Sequence, residues 1–167
     1  MIVSGQMVPC VFPCNEGAVS VMVQKKQITG RLETGLTHTR KLVVDDSLTV
    51  PRLPAAVGDL SDMPQVLATA NVLAFVEATC IEALRPYLDK GQNTVGTQIN
   101  FSHSAATPVG MAVSATVTLS AIEGRCLRFD VECLDEHGLI GAGSHERFII
   151  DSARFEARIE AKRAAGE

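Results

Sequence analysis

The stretch VLATANVLAFVEATCIEAL, residues 66–84, decides the fold. Leu67, Val72, Leu73, Phe75, Val76, Ile81 and Leu84 carry its bulk, with Ala68, Ala70, Ala74 and Ala78 between them. A helix that is apolar nearly all round has to be buried on most sides. Upstream, Ser61 or Asp62 can cap its start, and Pro64 is tolerated in a first turn. Downstream, the pattern ends near Tyr87 to Lys90, and Gly91 supplies a stop.

Working outward, Leu36 to Val44 (LTHTRKLVV) reads as a strand. Pro51 and Pro54 cannot donate backbone hydrogen bonds, so Val50 to Gly58 reads as an extended loop. After the helix come four runs at hairpin spacing. Thr94 to His103 alternates, placing Val95, Thr97, Ile99, Phe101 and His103 on one face. Met111 to Leu119 does the same with Met111, Val113, Ala115, Val117 and Leu119. Cys126 to Leu134 sets Leu127, Phe129, Val131 and Cys133 against Arg128, Asp130 and Glu132, and Leu139 to Ile150 is the last strand. Thr107-Pro108-Val109-Gly110, Glu123-Gly124 and His137-Gly138 supply the turns. A short final helix is expected from Asp151 as cap, with Phe155 and Ile159 an i, i+4 apolar pair.

An antiparallel sheet curved around one long apolar helix satisfies both elements. This α+β arrangement is the hot-dog architecture. The domain is expected over residues 35–163, and residues 1–34 form an N-terminal extension with no sustained period and no assigned function. Because a single sheet leaves its edges unpaired, association into a homodimer is expected, with a tetramer left open.

The 167 residues, 46% hydrophobic, fit one domain with a substantial core. A formal net charge of −4 argues against nucleic acid as a partner, which needs clustered Lys and Arg. No membrane span is visible: the most hydrophobic stretch, Val66 to Ile81, contains Asn71 and Glu77. Met1 to Cys14 is short, interrupted by Pro9 and Pro13, and lacks a basic n-region. The odd set of five cysteines (Cys10, Cys14, Cys80, Cys126 and Cys133) points to reduced thiols and a cytoplasmic protein. Cys10 and Cys14 make a CxxxC pair without a second pair, a weak basis for zinc.

Glu77 is the only carboxylate between Asp62 and Glu82, set among Phe75, Val76, Ala78 and Cys80. Burying an unpaired carboxylate costs several kcal/mol, so it needs a partner or a purpose. It is therefore either a general base or nucleophile of raised pKa, or a group that reaches solvent or pairs with an arginine. His103 ends a core-facing row and is either a satisfied core residue or a proton-transfer group. His38, His137 and His145 have weaker claims, His137 because it lies in a turn. Thr69, at the helix start, either bonds a ligand or bonds back to a carbonyl one turn earlier. Gly96 and the run Gly141-Ala142-Gly143-Ser144 mark close approach of a ligand or another backbone. Arg147 can meet a phosphate or a carboxylate. No histidine pair has a metal-site spacing, and no GxGxxG, P-loop or GxSxG element is present.

Residues 68–110 (ATANVLAFVEATCIEALRPYLDKGQNTVGTQINFSHSAATPVG) and 122–148 (IEGRCLRFDVECLDEHGLIGAGSHERF) together resemble the hot-dog thioesterase family that includes fluoroacetyl-CoA thioesterase. The resemblance covers about residues 36–160. It implies hydrolysis of an acyl-CoA to a free acid and CoA by a dimer with its sites at the subunit interface. No cofactor is implied beyond the CoA of the substrate. By the same resemblance Thr69, Glu77 and His103 match the catalytic trio, Gly96 a backbone N–H facing the thioester oxygen, and Arg147 an arginine of the active-site and CoA region. Either Glu77 attacks or activates water while His103 manages the proton, or Thr69 attacks with His103 as base. Where fluoroacetyl-specific members carry an aromatic gate just upstream of the helix, this chain has Met63, which is flexible, so a different short or medium acyl group is expected. The competing readings are another hot-dog acyl-thioester enzyme, such as a hydratase, and a non-catalytic acyl-CoA or acyl-carrier binding module.

Overall fold

The computed structural model describes residues 31–166. Cys10, Cys14 and nearly all of the N-terminal extension lie outside the described residues. The chain forms β1 (Thr37–Val43), a 16-residue helix α1 (Thr69–Leu84), β2 (Gln92–His103), β3 (Ala112–Glu123), β4 (Cys126–Leu134), β5 (Leu139–Asp151) and α2 (Ser152–Ala164). One antiparallel sheet runs in the order β1-β3-β4-β5-β2.

The core is the inner face of the sheet against α1. The strict alternation of β3 and β4 delivers Val113, Ala115, Val117, Leu119, Leu127, Phe129, Val131 and Cys133 to it, all buried. From α1 come Val72, Phe75, Val76, Cys80, Ala83 and Leu84, a stripe at i, i+3, i+4 spacing. The expectation of a helix buried on most sides is corrected here. Ala70 and Ala74 are exposed, and Leu73, Glu77, Ala78 and Ile81 are half-buried, so one apolar flank of α1 is open in a single chain.

The helix also begins later than its apolar run. Val66 and Leu67 are extended, bridged to Pro108 and Thr49. Val50 N–H donates to the Val66 carbonyl (3.0 Å) and Leu67 N–H to that of Thr107 (2.8 Å). The Leu48 carbonyl then accepts from both Ala68 N–H and the Asn71 side chain. These pairings hold 66–68 out of the helix and make Thr69 its first residue. The Pro-containing linker is not extended either. It winds through two short 3-10 turns, Val50–Arg52 and Ala55–Val57, just after a third at Asp46–Leu48.

Strand β2 carries a bulge. Gly96 opposes Arg147 and Gln98 opposes Glu146, leaving Thr97 as the extra residue. The bulge reverses side-chain parity, so Thr94 and Gly96 share the helix side with Ile99, Phe101 and His103. The expected continuous row from Val95 to His103 is therefore corrected in its first half: Val95 pairs with Phe148 on the other face. Asp151 caps α2 as expected, its carboxylate accepting from Arg154 N–H at 2.9 Å. No helix among the described residues is long and apolar enough to cross a membrane.

Candidate active site

Within one chain the expected site residues form two clusters. Along α1, Thr69 and Glu77 are eight residues apart, about 12 Å of helix rise. At the helix start, Thr69 Oγ1 lies 2.9 Å from His103 Nδ1. His103 Nε2 is buried and has no hydrogen-bond partner among the described residues. Either tautomer leaves that nitrogen unsatisfied, as an N–H without an acceptor or a lone pair without a donor, at a cost of about 1–3 kcal/mol.

The second cluster surrounds Glu77. Its side chain is 46% exposed and an arginine is its counter-ion, the surroundings given by the second of the two alternatives that the sequence leaves open for it. Arg147 Nη1 donates to Glu77 Oε1 at 3.4 Å, and His145 Nε2 lies 3.6 Å from the same oxygen. Arg147 itself is 2% exposed. Its Nε donates to Thr94 Oγ1 (2.9 Å) and its Nη2 to the Thr94 carbonyl (2.8 Å). The guanidinium is thus a fixed internal cation beneath the carboxylate. Gly96 lies beside it, and a Cβ there would collide with Glu77 Oε1.

His145 was a minor candidate by sequence, yet it is 2% exposed and sits inside this cluster. Its Nδ1 is 2.8 Å from the Gln98 carbonyl, its Nε2 3.2 Å from Arg147 Nη1. The usable signal was its i, i+2 spacing from Arg147, which puts both on one strand face. Burial chiefly, with Arg147 nearby, lowers its pKa below the ordinary 6.5, against the opposing pull of the Gln98 carbonyl, Glu77 and Glu146. A folded-state pKa below the unfolded one means that the unfolded chain takes up the proton first. Stability is then lost as pH falls below about 6.5 towards the folded value. Scanning calorimetry from about pH 7.5 to 5.5 should show this decline, reduced in His145→Gln.

The other candidates fall elsewhere. His38 pairs with Glu82 (3.5 Å), which Arg40 also holds (2.9 Å). His137 is in the β4–β5 turn, its N–H donated to Asp135 Oδ1. Met63 is 45% exposed, its N–H closing a turn onto the Leu60 carbonyl. Burial pushes the Cys80 thiol up to about 12 and that of Cys133 up to about 11, so both stay protonated. Among the described residues no group of three His, Cys, Asp or Glu is arranged to hold a metal ion.

The same fold recurs in proteins of known structure. The fluoroacetyl-CoA thioesterase FlK superposes with a TM-score of 0.77 at 34% identity, covering 80% of this chain and 98% of that one. Variants of that enzyme have been solved with acetyl-CoA and with fluoroacetate and CoA. A thioesterase superfamily member from Thermus thermophilus matches at 0.71 and 27%, over 82% of this chain and 98% of its own. These neighbours and the helix-wrapping sheet define a hot-dog thioesterase. A family model for the fluoroacetyl-CoA-specific thioesterase matches residues 50–153. The fluoroacetyl-CoA thioesterase of Streptantibioticus cattleyicolor is 36% identical over 135 residues, 81% of this chain and 97% of that protein. The chain belongs to the fluoroacetyl-CoA-specific thioesterase family.

Proposed function

We propose that the protein hydrolyses short or medium acyl-CoA thioesters to the free acid and CoA, with Glu77 as nucleophile or general base. The carrying observation is the half-exposed Glu77 carboxylate, fixed by a buried arginine on an otherwise apolar helix flank. A thioester carbonyl is already reactive, so the protein needs chiefly to polarise it and present an oxygen nucleophile. If Glu77 attacks, its oxygen bonds to the acyl carbon, the C–S bond breaks and CoA leaves as thiolate; water then hydrolyses the anhydride. If Glu77 acts as base, it takes a proton from water as the water oxygen bonds to the acyl carbon; the C–S bond then breaks and the departing CoA thiolate receives that proton. Thr69 and His103 serve the acyl or leaving group through their shared hydrogen bond. No cofactor is required in either route. Met63, flexible and exposed, supports an acyl group other than fluoroacetyl.

A homodimer completes the site in this reading. Three unmet requirements lie on one side of the chain: the apolar flank of α1, the outer edge of β2 and the orphaned His103 Nε2. Antiparallel pairing of β2 with its copy covers all three. It also brings the His103 end of one strand towards the Gly96 end of the other, so that the two clusters meet across the interface. The buried, protonated thiols of Cys80 and Cys133 fit a cytoplasmic setting.

CoA thiol release from a panel of acyl-CoAs tests the activity. Turnover is expected for at least one short or medium chain. His103→Ala should slow it by about a hundredfold, as loss of an acid–base group does. Binding of several acyl-CoAs without hydrolysis of any would make the protein a binding module. For assembly, Ala74→Arg on the open helix flank should give a monomer by sedimentation velocity and abolish turnover. An active monomer refutes the shared site.

A further inference from the structure

Both ring nitrogens of His145 are assigned by their neighbours. The Gln98 carbonyl can only accept, so Nδ1 carries a proton. The Arg147 guanidinium can only donate, so Nε2 presents a lone pair. His145 is therefore a neutral imidazole in its Nδ1–H tautomer. Protonation would set an N–H against the guanidinium N–H. The groups facing it are Arg147 and Glu146 from β5, Glu77 from α1 and the Gln98 carbonyl from β2, with the protonated Cys80 thiol close to Arg147.

The guanidinium is consequently held from three directions: by the Thr94 hydroxyl, the Thr94 carbonyl and His145 Nε2. Among the described residues its other hydrogen-bond partner is Glu77. The contacts on that carboxylate fall on Oε1, and none falls on Oε2 among the described residues. One oxygen is thus anchored and the other left for chemistry. Without His145, Nη1 loses the acceptor that shares its two protons between imidazole and carboxylate.

We infer that His145 is a positioning residue for thioester cleavage, fixing through Arg147 the carboxylate of Glu77. This rests on the proposed role of Glu77. A purely structural His145 would instead matter through its bond to Gln98 at the bulge of β2, and two substitutions separate these roles. Glutamine places an amide oxygen near the Nε2 position and can still accept from Arg147. Asparagine places an amide nitrogen near Nδ1 and keeps only the bond to Gln98.

With the best acyl-CoA of the panel, His145→Asn should lower kcat at least about tenfold with KM within about twofold, because misplacement of a reacting group falls on turnover. His145→Gln should keep kcat within about threefold of the native value. Equal losses in both variants, the reverse order, or a loss carried by KM would overturn the inference. In a Glu77→Gln background His145→Asn should leave the residual rate unchanged; a further drop by the same factor would also overturn it. Nitrogen-15 spectra of the native ring at neutral pH should show the Nδ1–H tautomer, and an Nε2–H or doubly protonated ring contradicts the geometry whatever the activity. A native protein that cleaves no acyl-CoA refutes the role of Glu77 instead, and those spectra still decide the state of His145.

Discussion

Glu77→Gln lowers acyl-CoA turnover by at least about a hundredfold, because the amide is isosteric but is neither a nucleophile nor a base. Its neighbours make this the sharpest substitution. The amide oxygen can still accept from Arg147 Nη1, so the clamp from Thr94 to Arg147 is preserved and the loss reports chemistry. Glu77→Ala removes the hydrogen-bond acceptor as well and leaves a 2% exposed guanidinium without its carboxylate. That variant should lose thermal stability in addition to activity. Thiol release together with a melting curve separates the two effects. Native turnover in Glu77→Gln would transfer the nucleophile to Thr69, whose hydroxyl is bonded to His103.

Gly143→Ala is expected to destabilise the fold by at least about 3 kcal/mol, at the upper end for overpacking. A Cβ at Gly143 would collide with the Asn100 carbonyl oxygen and lie 2.7 Å from Phe101 Cα. Both are backbone atoms of the paired strand β2, so relief requires β2 and β5 to part. Gly96→Ala is the informative contrast. Its Cβ meets the tip of Glu77 and, at 3.1 Å, His145 Cε1, both side-chain atoms. The carboxylate can swing aside, so this variant should remain folded and lose turnover. Urea denaturation followed by circular dichroism distinguishes them, and a normal midpoint for Gly143→Ala would contradict the close approach of β2 and β5.

Strand β4 was fully legible in the sequence because nothing interrupts its alternation from Leu127 to Cys133. The Asp151 cap was legible because capping is local. The start of α1 was not. Val66 and Leu67 belong to the same apolar run as the helix, and the partners that hold them extended, Thr49 and Pro108, lie about twenty and forty residues away. Glu77 was singled out by its isolation among apolar residues, but its exposure depends on which flank of α1 the single sheet covers. The spacing from Thr69 to His103 gave no sign that the two share a hydrogen bond; family resemblance supplied that pairing. His145 is inconspicuous in the sequence for a similar reason. Its ring is held by the carbonyl of Gln98, the residue that follows the bulge, and a one-residue irregularity leaves little trace in composition.

That irregularity at Thr97 acts as a frame shift in side-chain orientation. It lets one strand give Thr94 and Gly96 to the carboxylate end of the helix, and Phe101 and His103 to its threonine end. Deleting Thr97 would make Gly96–Arg147 and Gln98–Glu146 consecutive pairs of an unbroken ladder, so Thr94, Gly96, Ile99, Phe101 and His103 would keep the helix side and only the local bend of the strand would be lost. Homologues one residue shorter at this point are therefore aligned by a single gap at Thr97, whereas sliding the first half of β2 by one residue without that gap would put Val95 where Glu77 needs a bare glycine.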